Sequence, residues 1–159
     1  MKTAARLASL ILSFLVLVTP VAGLAQGGNF GGKTVDGITI YLGVTTAAAI
    51  AKNYPPGSPE RTMHGGIPVG GDWHHILIAI FDAKTGKRIT DAEVTATVRE
   101  VGLSGMTRTL EKVNVAGYTT YCNYFEMEHG PLYRIDLSIR LPGRPGPIKT
   151  EFDYGHVVD

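Results

Sequence analysis

Cysteine is almost missing from this chain of 159 residues: only Cys122 is present, so no internal disulfide can staple the fold and stability must come from ordinary burial. Charge is sparse as well. Asp, Glu, Lys and Arg make up 18% of the residues and nearly cancel, leaving a formal charge of +1 and no run of Lys or Arg. A nucleic-acid or anionic-membrane ligand needs a basic footprint, and its absence argues against both. Repeats and low-complexity stretches are missing too. Catalytic signatures are equally thin. There is no His-Glu-x-x-His, and Gly102-Leu103-Ser104-Gly105-Met106 follows a nucleophile elbow only until Met106 stands where the last glycine is required. The single cysteine has no base beside it in sequence. An enzyme is therefore not expected.

What is present begins with an export signal. Lys2 and Arg6 precede an apolar run from Leu7 to Val18, and the small residues Gly23 and Ala25 predict cleavage just before Gln26. The run is too short to span a bilayer comfortably, and no second one follows, so no direct membrane anchor is expected. Cys122 lies far from the cleavage point, which excludes lipid attachment there. Residues 1–25 are accordingly set aside as signal peptide, and the periplasm is the expected compartment. Losing Lys2 and Arg6 takes the formal charge from +1 to −1. The remainder is the size of one domain, predicted at 36–159 behind a flexible, Gly-rich lead-in at 26–35.

Along that domain the apolar period is two. Ile38, Ile40, Leu42 and Val44 alternate with Thr39, Tyr41 and Gly43, while Trp73 to Phe81 is apolar on both parities, as in a strand covered on both sides. Further strands are predicted at Ala92 to Val98, Thr107 to Val115, Tyr118 to Met127, Tyr133 to Leu141 and Ile148 to Tyr154. Ala47 to Lys52 is expected to make one helical turn. The Pro- and Gly-rich stretch from Tyr54 to Gly71 reads as a long irregular loop, a length often tied to function. About seven strands with regular turns predict an all-β, immunoglobulin-like β-sandwich in preference to an up-and-down barrel.

The stretch Phe81-Asp82-Ala83-Lys84-Thr85-Gly86-Lys87-Arg88-Ile89-Thr90-Asp91-Ala92-Glu93-Val94, with Gly130-Pro131-Leu132-Tyr133-Arg134-Ile135 later, resembles small exported Ig-like domains. Among them it is similar to the Tpd-type periplasmic copper-binding proteins that accompany iron permeases, and to YtkA-like domains. The resemblance covers roughly Trp73 to Tyr154. It implies copper as the bound ion, ligation by histidines and a methionine, a link to iron uptake and a possible dimer. The lipidation cysteine common in the Tpd type is not found here.

The residues themselves point the same way. All five histidines, 64, 74, 75, 129 and 156, fall after the predicted cleavage, and Met63 adjoins His64 while Met127 lies two residues before His129. Imidazole with thioether suits Cu(I), imidazole alone also holds Cu(II), and thioethers cannot be lost to disulfides in an oxidising compartment. The candidate ligands are Met63, His64, His74, His75, Met127 and His129. On a strand His74 and His75 point to opposite sides, so one of them at most joins a given site, and the long loop must fold across the sheet to bring Met63 and His64 to it. Each has a plainer reading: a loop histidine, a hydrogen-bonded strand histidine, a core methionine, a solvated turn, a frayed tail at His156. Cys122 is expected to be a small buried hydrophobe, with a metal-binding thiolate as the alternative.

Two functions follow. One is a copper-binding carrier or buffer, or an assistant to iron uptake, whose partner would be a membrane permease or a metal-acceptor protein. The other is a metal-free Ig-like module that docks by a sheet face or edge, for which Trp73, Tyr118, Tyr121 and Tyr124 would supply an aromatic wall.

Overall fold

A computed structural model describes residues 31–155. The signal peptide and its cleavage point, the start of the lead-in and His156 lie outside the described residues. Eight strands are present among those described: β1 (Gly31–Val35), β2 (Ile38–Thr46), β3 (Trp73–Asp82), β4 (Glu93–Glu100), β5 (Met106–Val115), β6 (Tyr118–Glu126), β7 (Leu132–Arg140) and β8 (Ile148–Gly155). Helices α1 (Ala47–Asn53) and α2 (Pro59–Thr62) and a short 3-10 turn (Met63–Gly65) lie between β2 and β3.

Seven of the strands fall where strands were predicted; β1 does not. Gly31–Val35 belongs to the segment expected to be a flexible lead-in, yet it pairs along its whole length with β2, from Gly31 opposite Leu42 to Val35 opposite Ile38. Its residues are mostly exposed, so it carries no apolar period to read. A tight turn at Asp36-Gly37, both with positive φ, folds it back onto its neighbour.

All pairings are antiparallel, in the order β1-β2-β3-β6-β5-β4-β7-β8. β5 belongs to both layers. Its first half pairs with β4, Val94 facing Leu110, and its second half with β6, Glu111 facing Cys122, so the chain turns a corner of the sandwich without a break. At the other side β1 meets β8: Lys33 Nζ donates to the Glu151 carbonyl at 3.2 Å, and the Phe152 ring packs on Gly31. The two layers enclose a core built from the inward parities of their strands, Ile40, Leu42, Ile76, Ile78 and Phe125 against Val98, Ile135, Leu137 and Ile139. Tyr121 ties the layers together by its hydroxyl, which accepts from Ala92 N at 2.9 Å and lies 3.4 Å from the Ile89 carbonyl. No helix of the described residues is long and apolar enough to cross a membrane.

β3 is buried on both faces near its start. Ile76, Ile78 and Ile80 face the sandwich core, and the opposite face is roofed by α1 and the loop after it. Thr46 caps α1 by accepting from Ala49 N at 3.1 Å, and Ala47 and Ile50 press onto Tyr124 of β6, with Ile67 and Trp73 alongside. Arg61 holds the roof in place, its guanidinium donating to the carbonyls of Ala51 and Tyr54 at 3.3 Å each. The Tyr54 to Gly71 stretch expected as an irregular loop thus contains α2 and the 3-10 turn and folds back onto the sheet.

The turn after β3 generates a pH prediction. Asp82 accepts from the Thr85 hydroxyl and amide, both at 2.7 Å, and from Lys84 N at 3.1 Å, and these bonds hold its carboxyl below the usual 3.8. A carboxyl with a lowered folded pKa stabilises fully above its unfolded value, and that contribution disappears as the pH falls through the folded value. Thr85→Val should therefore be less stable than the parent at pH 7, with the difference shrinking as the pH falls below 3.8. Urea unfolding of both proteins at pH 7 and at a series of values below 3.8 measures it.

Candidate metal centre

Three donors meet beneath the roof. Strand alternation puts His75 of β3 on the face away from the sandwich core, and the same face of β6 presents Thr120, Cys122 and Tyr124. Register brings them together, because His75 lies opposite Tyr124, Leu77 opposite Cys122, and Cys122 opposite Glu111 of β5. His64 arrives from the loop. It sits in the left-handed region at φ 58°, followed by Gly65 at 80° and Gly66 at 108°, a reversal that a chain with two successive glycines makes at little cost while the histidine carries the strain.

His64 Nε2 lies 3.4 Å from His75 Nε2, and His64 Nδ1 is 2.9 Å from a carboxylate oxygen of Glu111. With Nδ1–H donated to Glu111, the lone pair of His64 is left on Nε2, facing the other imidazole. The donor atoms of His64, His75 and Cys122 all lie within 4.8 Å of one another. Ligands about 2.0–2.3 Å from a tetrahedral metal ion stand roughly 3.3–3.8 Å apart, so a small inward adjustment of this set would enclose an ion. The Tyr124 ring walls the group, its centroid 4.9 Å from that of His75 and 5.8 Å from that of His64.

The surroundings are dry. His75 is 4% exposed, Cys122 is 0% exposed, and the His64 side chain is 4% exposed. Burial first, and the neighbouring His64 second, bring the His75 pKa down to about 4, so its imidazole is neutral and available as a donor at physiological pH. Burial likewise pushes the Cys122 thiol up to about 12; the Thr120 hydroxyl opposes the rise and Glu111 adds to it. His75 and Cys122 are thus both neutral, and one soft sulfur with two nitrogens suits Cu(I) or Zn(II).

The six ligands expected from sequence divide between two places. His64 and His75 meet, and Met63, in the same turn as His64, lines a cleft together with His75. His74 points the other way, into the end of the sandwich, where its Nδ1 is 3.0 Å from the Asp72 carbonyl and its ring centroid is 6.0 Å from that of His129 and 6.2 Å from that of Tyr154. His129 Nε2 is 3.8 Å from Asp72, and Met127 is a fully buried member of the main core. The sheet separates these three from the His64 group. Cys122 is the small buried residue expected, and it lies beside two imidazoles. Glu111 was not anticipated; nothing in its local sequence marks it, and only the pairing with Cys122 places it.

Two other sequence features take plain structural roles. Gly27 to Thr34 carries the Gly-x-x-x-x-Gly-Lys-Thr spacing of a phosphate loop, but Lys33 and Thr34 lie in β1 and a strand, not a helix, follows. The aromatic wall considered for a docking module is not assembled: Tyr121 and Tyr124 are buried, Trp73 is half-buried under Arg108, and Tyr118 alone is well exposed, with Arg88 over its ring.

Fold and site together define an antiparallel β-sandwich with a buried cluster of two histidines and one cysteine on the outer face of one layer. No family model and no curated protein matches the sequence. Among solved structures the fold is similar to a DUF4426 family protein from Pseudomonas aeruginosa PAO1, at 14% identity over 82% of this chain and 96% of that one, with TM-score 0.60. It is similar to a copper-bound variant of FetP from uropathogenic Escherichia coli strain F11, at 13% identity over 82% and 96%, with TM-score 0.61. It is also similar to a copper-bound variant of P19 from Campylobacter jejuni, at 12% identity over 82% and 98%, with TM-score 0.59. At such identities the likeness establishes the shared sandwich.

The buried thiol makes a direct prediction. In the metal-free protein at pH 8, Cys122 should react with a thiol reagent at least about a thousandfold more slowly than in urea, since a pKa near 12 leaves so little thiolate. Equal rates in the two states would show that the thiol is not enclosed as described.

Proposed function

We propose that this chain is an exported copper-binding protein that holds one ion at His64, His75 and Cys122 and serves as a carrier or buffer rather than as an enzyme. The observation that carries the reading is the convergence of those donors, with Glu111 setting the tautomer of one of them. The sandwich shared with copper-bound FetP and P19 supports it, as does the resemblance to exported copper-binding domains. Copper would supply no chemistry beyond occupancy; the residues bind it, orient its ligands and exclude water. Because the thiol must ionise to bind, uptake should release about one proton per ion and affinity should rise with pH. The finer part of the proposal is delivery to a metal-acceptor protein or to a permease concerned with iron uptake, and it rests on the family resemblance alone.

Titration of the exported protein with Cu(I) against a competing chelator tests the reading. One ion should bind more tightly than about micromolar. A His64→Ala, His75→Ala double variant and a Cys122→Ser variant should each lose at least about tenfold, a change of about 1.4 kcal/mol. Absence of binding overturns the function, and undiminished binding in both variants overturns the site.

A further inference from the structure

The candidate centre has an approach. A cleft of about 330 Å³ opens beside β2 and the roof, and His75 and Met63 both line it, whereas His64 and Cys122 do not. Those two donors are screened on other sides, His64 by Glu111 and the Tyr124 ring, Cys122 by complete burial in β6. The cleft exists partly because Gly43 has no side chain on this face of β2, between the outward Tyr41 and Thr45. Its walls are largely apolar, including Ala49, Ile50 and Leu77. Neither lysine nor arginine lines it, and Glu60 supplies its carboxylate.

Such a passage discriminates between ions. An apolar wall penalises a hydrated divalent ion more than a monovalent one, because desolvation cost grows steeply with charge. A thioether favours Cu(I), whereas Cu(II) prefers nitrogen and oxygen ligands. Met63, only partly buried, is the soft donor lining the route, His75, at 4% exposure, is the more buried donor lining it, and Glu60 is complementary to an incoming cation.

We infer that this cleft is the port through which Cu(I) enters and leaves the His64, His75 and Cys122 centre, with the Met63 thioether as the first ligand to receive the ion and His75 as the next. The inference rests on the copper-binding reading and adds a route and an oxidation state to it. The step is ligand exchange at constant oxidation state: a bond from Cu(I) to its incoming donor breaks as the bond to Met63 sulfur forms, and that bond in turn gives way to the His75 nitrogen. No electron is transferred.

The test is stopped-flow loading of the exported protein with Cu(I) supplied as its acetonitrile complex, with equilibrium affinity measured in parallel by chelator competition. Gly43→Leu fills the passage, and Met63→Leu removes the sulfur while keeping the apolar volume. Loading should slow at least tenfold in each variant. In Gly43→Leu, release to chelator should slow by a similar factor, leaving the affinity within about threefold of the parent, as a narrowed route requires. Parent-like loading in both variants, with affinity retained, overturns the port but not the site. An affinity loss in Met63→Leu equal to its loss in loading rate makes Met63 a resident ligand and also overturns its role in the port. Failure of the parent to bind Cu(I) overturns the copper reading and the port together. If Gly43→Leu does not fold, Met63→Leu decides alone.

Discussion

The burial of β3 and β6 on both faces governs the rest of the molecule. One face of each strand is covered by the opposing layer, as in any sandwich, but the other would lie open if α1 and the following loop did not roof it. Under that roof a histidine and a cysteine that a two-layer sandwich would leave near solvent are closed off from it. The low pKa of His75 and the high pKa of Cys122 have the same leading cause, removal of water from the charged form. The roof therefore keeps His75 and Cys122 neutral, and an ion bound between them would displace the thiol proton.

Bringing His64 to that place is a matter of backbone conformation as much as of packing. The left-handed turn through His64, Gly65 and Gly66 reverses the chain over the sheet, and Arg61 fastens the preceding segment to α1. Glu111 then completes the positioning from β5, the strand that joins the two layers. A metal ligand held by a carboxylate through its second nitrogen has its donor direction set in advance, so less freedom is lost when an ion arrives. The same loop carries His64 of the donor cluster and Met63 of the neighbouring cleft, since the two are adjacent in sequence.

Much of the fold was legible because its core strands carry their period openly. Ile135, Leu137 and Ile139 against Arg134, Asp136 and Ser138 permit one reading only, and the Asp82 to Lys87 turn has the residues its bonds require. β1 escaped notice for the opposite reason: Gly31–Val35 is an exposed edge strand whose pairing is made by backbone groups, which any sequence supplies. The site was half legible. The Met63-His64 pair, the double glycine after it and the two successive strand histidines were visible, as was the rule that His74 and His75 face opposite ways. Cys122 was visible only as one of two alternatives and Glu111 not at all, because their placement depends on register, and register is a relation between strands distant in the chain.

By itself the sequence determined the parity of the strands at Ile38 to Val44, Ala92 to Val98 and Tyr133 to Leu141, the two-sided coverage of Trp73 to Phe81 and a small inventory of soft and nitrogen donors, because these are local properties of side-chain type and spacing. Tertiary structure alone decided which donors share a face. It gathered His64, His75 and Cys122 under the roof and sent His74, Met127 and His129 to the far side of the sheet. The reason is geometric: a sheet is an opaque partition, residues one apart on a strand can never meet across it, and residues forty or more apart in sequence become neighbours when their strands pair.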